Sequence, residues 1–251
     1  MGQQQSTNSK IPVSIKLKKY EDVKLTVPYS QLDMIKVLQS HYEFEIKGAL
    51  YFDHSYNFKS FDIRTDNDRL ACTGGSDWKI YFHTHPDQTS QIFGLRYYSP
   101  PSVDDVMEIY DHYCRYVPKT VCSRLGELSI IIANEGIYVM QLDRQQYEAL
   151  GLHEKTEEQQ EEMLNNDFNA EIILELKKRI ADLYDLEGKG KPDYSNPDIS
   201  YEQFSKMLKV VCDGIHQKFG FKLKFHDWTE LKDTGLQFET SSFFVNKKVE
   251  D

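Results

Sequence analysis

The sequence predicts a mixed α/β fold, because segments with strand character and segments with helical periodicity alternate along the chain. Residues 45–52 and 81–85 are rich in aromatic and apolar residues and have the length of strands. Ser102 then opens a run with apolar residues at helical spacing, and residues 128–142 contain two strand-like runs around a short polar turn. A helix-and-strand order of this kind is typical of a layered α/β domain.

The segments that flank this region fit the same pattern. Residues 11–28 predict one or two strands, Ser30 begins a predicted helix, and another strand is expected near 61–64. After a charged run at 157–162, a long helix is predicted from apolar residues that recur every three or four positions: Leu164, Phe168, Ile172, Leu176, Ile180 and Leu183.

The glycine-rich segment 188–192 ends that helix, and Ser200 with Gln203 forms a capping box that starts a second one. Gly220 is a natural stop for the second helix, and short strands are expected at 221–225 and 236–245. The chain therefore divides into three parts, namely a flexible tail at 1–10, a domain at 11–150 and a mainly helical C-terminal extension at 151–251.

The composition limits the classes of function. The chain has 251 residues, and 30 basic residues against 40 acidic ones leave a formal charge of −10. This charge argues against nonspecific nucleic-acid binding, which needs a basic surface. Four cysteines occur without a Cys-x-x-Cys pair, and no apolar run reaches 18 residues. Both features favour a protein of the reducing cytoplasm without a transmembrane helix.

The N-terminus suggests a lipid anchor. Residues 1–6 have the form Met-Gly-x-x-x-Ser, which is the pattern for N-myristoylation of Gly2. One acyl chain gives only marginal membrane binding, so we expect at most peripheral contact with a membrane or association with a virion. The alternative interpretation is an ordinary polar tail.

The residues with the clearest chemistry are His83 and His85. They lie two positions apart on a predicted strand, so both imidazoles can face one metal ion. A catalytic zinc keeps three protein ligands and one water, and Asp105 is the candidate for the third ligand. Ser102 is a good N-cap, and it would hold Asp105 at the first turn of the following helix.

A hydrolytic site also needs a base and support for the oxyanion. Glu45 is a carboxylate that could accept a proton from a zinc-bound water, whose pKa is lowered to about 7. The Ser102 hydroxyl could donate a hydrogen bond to a tetrahedral oxyanion. Each residue alone has a plainer interpretation, since Ser102 is also a simple N-cap and Glu45 a solvated strand residue.

Together these residues resemble the JAMM (MPN-plus) metalloprotease family, whose pattern is Glu-x-x-Gly-x-Leu followed by His-x-His-x7-Ser-x-x-Asp. The first part is matched by Glu45, Gly48 and Leu50, and the second by His83, His85, Ser102 and Asp105. The resemblance implies a three-layer, cytidine-deaminase-like MPN domain with zinc on the two histidines and Asp105. It further implies Glu45 as general base, Ser102 as oxyanion support, and cleavage of ubiquitin or ubiquitin-like conjugates.

The chain departs from this pattern between the histidines and the serine. Sixteen residues separate His85 from Ser102, where the family usually has seven. The insertion within 87–101 could form a lid, a docking surface for a substrate, or a locally packed loop. Asp104 is adjacent to the expected ligand, but only Asp105 keeps the Ser-x-x-Asp spacing.

Three other functions fit the same sequence features. A noncatalytic MPN scaffold would assemble with protein partners through the C-terminal helices. A membrane- or virion-associated structural protein would use the acyl chain at Gly2. A metallohydrolase of the same fold could act on a small molecule.

Overall fold

An eight-stranded mixed sheet with six helices is formed by the residues that the computed structural model describes, 17–42, 44–64, 78–85, 99–114 and 122–245. The strands are β1 Leu17–Val27, β2 Lys47–Phe52, β3 Phe58–Arg64, β4 Trp78–Thr84, β5 Cys122–Ile132, β6 Gly136–Leu142, β7 Phe221–Asp227 and β8 Leu236–Val245. The helices are α1 Tyr29–Gln39, α2 Val103–Cys114, α3 Arg144–Ala149, α4 Glu157–Glu187, α5 Tyr201–Phe219 and α6 Trp228–Thr234. The tail with Gly2 and the part of the insertion at 86–98 lie outside the described ranges.

The sheet runs in the order β1-β8-β5-β4-β2-β3, and β6 pairs with both β5 and β7. Only the β4–β5 pair among these strands is parallel, and the described neighbours are otherwise antiparallel. The mixed α/β class predicted from the sequence is therefore confirmed. The chain after residue 150, predicted as mainly helical, supplies α4 and α5 and also two strands of this sheet, β7 and β8.

Helices cover both faces of the sheet because successive strand residues point to opposite sides. On β5, Ile130 and Ile132 belong to one apolar cluster, which includes residues of α1 and α6. Ile131 belongs to a second cluster, which includes residues of α2, α4 and α5. β4 lies between β2 and β5, so its end is supported by a strand on each side.

The long helix α4 follows the predicted apolar row with one difference. The row is buried from Leu164 to Ile180, but the next buried position is Tyr184 and not Leu183. A step of four residues advances about 40° around a helix, so a row built of such steps continues at residue 184. The Tyr184 hydroxyl accepts a hydrogen bond at 2.6 Å from the backbone N–H of Asp198, in the segment that leads to α5.

The helix ends agree with the sequence patterns. α4 stops at Gly188, which has a φ of 65° and adopts the left-handed conformation that glycine tolerates. At the start of α5, the Ser200 and Gln203 side chains each bond the other residue's backbone N–H, at 3.2 Å and 2.8 Å. The predicted capping box is therefore confirmed, as is the buried face of α5 formed by Phe204, Leu208, Val211, Ile215 and Phe219.

Gly48 on β2 is required by close packing. A Cβ atom at this position would lie 2.1 Å from the Asp62 carbonyl oxygen and 2.6 Å from the ring of Phe82. The first contact is with the backbone of the neighbouring strand β3, which cannot rotate away. The glycine of the Glu-x-x-Gly-x-Leu pattern therefore allows β3 to approach β2.

We predict that Gly48→Ala lowers the free energy of unfolding by about 1–3 kcal/mol, the usual cost of overpacking. Gly214→Ala is the matched control, because a Cβ there meets no described atom within 4 Å. Alanine in helix α5 should be neutral or stabilise the protein by up to about 1 kcal/mol. Urea unfolding measures both changes, and equal stabilities of the two variants would contradict the packing argument.

Candidate metal centre

The end of β4 brings two imidazoles together. His83 is paired with Lys47 of β2 and Ile131 of β5. β4 ends at Thr84, but the His85 backbone N–H still donates to the Ile132 carbonyl at 2.9 Å. Both side chains consequently point to the same side, with their Nε2 atoms 3.3 Å apart, and both histidines are buried.

Asp105 completes the cluster from the first turn of α2. Its Oδ1 lies 2.7 Å from Nε2 of His83, and its Oδ2 lies 3.3 Å from Nε2 of His85. Asp105 is buried, whereas its neighbour Asp104 is exposed. The structure thus brings together the three residues that the sequence predicted as ligands, and it points the adjacent aspartate to solvent.

These three side chains could hold a metal ion. One ligand atom from each residue lies within 4.8 Å of the others. In a tetrahedral site with Zn–N bonds of about 2.0–2.1 Å, two ligand nitrogens lie about 3.3 Å apart. The spacing between the two Nε2 atoms, 3.3 Å, agrees with that value. Two imidazoles and one carboxylate are also a donor set that suits a catalytic divalent ion.

Ser102 anchors the carboxylate. Its backbone N–H and its hydroxyl both donate to Asp105 Oδ2, at 2.6 Å and 2.7 Å. Its Oγ also accepts the Asp105 backbone N–H at 3.3 Å, the bond of an N-cap residue. Both Ser102 donors bond to Oδ2, so neither of them occupies Oδ1, the oxygen that faces His83.

A second hydrogen bond orients His85. Its Nδ1 lies 3.1 Å from the Ser99 carbonyl oxygen, which can only accept, so Nδ1 carries the proton. The lone pair of the neutral ring is therefore on Nε2, on the side of His83 and Asp105. A hydrogen bond of this kind at the far ring nitrogen is the usual support for a metal-binding histidine.

The charges within the cluster shift the pKa values of its members. Burial opposes ionisation of Asp105, but the interactions of the carboxylate with the His83 and His85 imidazoles outweigh burial and hold the pKa of Asp105 well below its usual range. Burial likewise opposes the charged form of His85, but the bond to Asp105 and the charge of Asp105 raise the pKa of His85. The carboxylate is therefore ionised in the folded protein.

Glu45 is exposed to solvent, in a segment that is bonded to the strand of the two histidines. It comes two residues before β2, so the predicted strand begins slightly later, at Lys47. Ile46, between them, accepts a bond from the Thr84 backbone N–H at 2.9 Å. The negative charge of Glu45 contributes to the raised pKa of His85, which places the carboxylate within electrostatic range of the site.

Gln39 fixes the segment that carries Glu45. Its Nε2 donates to the carbonyl oxygens of Tyr42 and Phe44, at 3.3 Å each, and its Oε1 accepts from the Thr84 hydroxyl. The Thr84 Oγ1 in turn accepts the Ile46 backbone N–H at 2.9 Å. Sequence reasoning did not identify Gln39, because a polar residue at a helix end gives no local sign of such contacts.

Comparisons with known proteins add no relative, since no family model, no curated protein and no solved structure matches the chain. No helix in the described ranges combines the length and the apolar character needed to cross a membrane.

We predict that the purified protein binds one zinc ion and that His85→Ala removes most of it, because the variant loses one of three ligands. Elemental analysis after removal of free metal measures the content. His153→Ala is the control, since His153 lies outside the cluster. Full zinc occupancy in a His83→Ala/His85→Ala double variant would exclude this site.

Ser102→Ala should weaken zinc binding about 10-fold, within the range for loss of a residue that supports a ligand. The variant keeps the backbone N–H that donates to Asp105 but loses the hydroxyl bond. A competition titration against a chromogenic chelator gives the affinity. An unchanged zinc affinity would contradict a role of the Ser102 hydroxyl in fixing Asp105 for the metal.

Proposed function

We propose that the protein is a zinc-dependent isopeptidase of the JAMM type, which cleaves ubiquitin or ubiquitin-like conjugates. The observation that carries the proposal is the geometry of His83, His85 and Asp105, three buried side chains at ligand spacing, with the exposed Glu45 within electrostatic range of His85. These four residues and Ser102 occur in the order of the family motif, although the separation of His85 from Ser102 is longer.

When bound, zinc supplies Lewis acidity that polarises the scissile carbonyl and acidifies the attacking water. Glu45 accepts a proton from that water and delivers it to the departing lysine amine. The hydroxyl of Ser102 turns from Asp105 Oδ2 to donate to the oxyanion. Asp105 tolerates this rotation because the backbone N–H of Ser102 continues to donate to Oδ2, at 2.6 Å.

The position of Glu45 suits a proton carrier. Its side chain is exposed and has access to water, whereas the three ligands are buried. Gln39 and Thr84 restrain the backbone on either side of Glu45, so this segment is held against the strand that carries the histidines. A general base must lie within hydrogen-bond reach of the proton it removes, directly or through one water.

The arrangement of layers is compatible with an MPN domain, with α1 and α6 on one face of the sheet and α2, α4 and α5 on the other. We further propose that the C-terminal helices bind a protein partner. Leu174 and Leu186 on α4 support this, because their side chains are 60% and 85% exposed. Location in the cytoplasm, with membrane or virion attachment through Gly2, completes the proposal.

A noncatalytic MPN scaffold is the second candidate, and the same exposed leucines of α4 favour it. The two candidates differ in turnover. A panel of diubiquitins of defined linkage should be cleaved by the isopeptidase, whereas a scaffold would leave every linkage intact while still binding zinc.

We predict that Glu45→Gln lowers the rate of cleavage by about 10²–10⁴-fold, because the amide is nearly isosteric but cannot accept the proton. Zinc content and the free energy of unfolding should stay at the wild-type level. Asp104→Asn is the matched control, since it removes another exposed carboxylate beside the site. Cleavage by Glu45→Gln at the wild-type rate would show that another group is the base.

A further inference from the structure

Glu135 is a buried carboxyl group in the turn between β5 and β6. Glutamates in hairpin turns are usually solvated, but Glu135 is only 2% exposed. Burial raises the pKa of Glu135 above its ordinary value. A buried carboxyl group lowers the stability of the fold unless its contacts compensate for the lost solvation.

The contacts of Glu135 lead to the metal centre. Its Oε1 accepts the Ser99 backbone N–H at 2.8 Å and the Tyr138 hydroxyl at 2.7 Å. The Ser99 carbonyl oxygen then accepts Nδ1–H of His85 at 3.1 Å. One residue, Ser99, is thus bound by Glu135 through its N–H and by His85 through its carbonyl.

The residue after Ser99 strengthens this link. Ser99 precedes Pro100, and a residue before proline is restricted to extended backbone conformations. With its N–H held by Glu135 and its ψ limited by Pro100, Ser99 has little freedom to turn its carbonyl away from His85. Ser99 and Glu135 are 36 positions apart in the sequence, so only the fold brings them together.

We propose that Glu135 is a positioning residue for His85, which it orients through Ser99 so that Nε2 of the neutral ring points to the metal. This inference rests on the proposed zinc site. The oxygen that holds Ser99 is Oε1, whereas Oε2 is buried without a hydrogen-bond partner among the described residues. Glutamine keeps an acceptor oxygen at this position, so Glu135→Gln should still hold Ser99. Methionine has a similar length but no acceptor of comparable strength, so Glu135→Met should release Ser99.

The same turn connects the site to the C-terminal region. The Tyr201 hydroxyl, at the start of α5, donates to the backbone carbonyl of Glu135. Tyr201 thereby fixes the backbone of the turn, while Tyr138 of β6 fixes the carboxyl group. The C-terminal region consequently supports the orientation of His85 as well as the sheet.

The experiment compares Glu135→Gln, Glu135→Met and the control Gln160→Met. Gln160 is buried and donates to the Tyr147 hydroxyl and the Leu152 carbonyl, so its loss also removes buried hydrogen bonds, but on no path to His85. Zinc affinity is measured by competition with a chromogenic chelator. The His85 tautomer is measured by ¹⁵N NMR on zinc-free protein, at a pH high enough for the ring to be neutral.

In the wild type and in Glu135→Gln, we expect the proton on Nδ1 of His85 and zinc affinities within about 3-fold of each other. Glu135→Met should lose that tautomer preference and bind zinc about 10–100-fold more weakly, while Gln160→Met should keep the wild-type affinity.

Wild-type affinity and tautomer in Glu135→Met would overturn the inference, as would equal losses of affinity in Glu135→Met and Gln160→Met. If Glu135→Met does not fold, the wild-type protein and Glu135→Gln decide the outcome. A wild-type His85 with its proton on Nε2, or a Glu135→Gln variant that loses zinc, contradicts the assignment. A wild type that binds no zinc but keeps the Nδ1 proton would instead refute the proposed function alone.

Discussion

The buried carboxylate of Asp105 is the group on which the whole site depends. An ionised carboxylate taken out of water costs on the order of several kcal/mol unless partners compensate for it. Here the compensation comes from the N–H and hydroxyl of Ser102, which both donate to Oδ2, and from the imidazoles of His83 and His85, whose Nε2 atoms lie 2.7 Å and 3.3 Å from the carboxylate oxygens. The N-terminus of α2, where Asp105 lies, also favours a negative charge. The cluster is therefore held together by electrostatics as well as by packing.

Rigid elements supply the frame for that charge. β4 is paired on both sides, so the two histidines start from a backbone that hydrogen bonds restrain. Supporting contacts then approach from two directions. Gln39 and Thr84 hold the segment before β2 that carries Glu45, and Glu135 holds Ser99 beside His85. The Glu45 segment and His85 are thus held by different hydrogen bonds, and a substitution at Gln39 or at Glu135 tests each of them.

Features that depend on residues close together in the sequence were predicted, and features that depend on distant residues were not. The cluster of His83, His85 and Asp105 was predictable, because strand alternation and an N-cap are local patterns. Gln39 and Glu135 were not, because their contacts join residues 45 and 36 positions apart in the chain. The short helices α3 and α6 also escaped prediction, since seven residues or fewer carry little periodicity and their N-caps are single aspartates, Asp143 and Asp227.

The fold shows the same division. Alternating apolar residues and the two C-terminal helix faces predicted the class and most of the elements. The pairing of β8 with both β1 and β5 had no sign in the sequence, because strand partners are chosen by tertiary packing. The same tertiary packing brings the C-terminal region into the domain that carries the metal centre.

X-ray absorption of the zinc-loaded protein is a strict test of this centre. We expect two imidazole nitrogens and oxygen ligands at about 2.0–2.2 Å, with the imidazole signal lost in the His83→Ala/His85→Ala variant. The chain has four cysteines, which could bind zinc elsewhere. Sulfur neighbours at about 2.3 Å, or a spectrum unchanged in that variant, would contradict a metal centre of His83, His85 and Asp105.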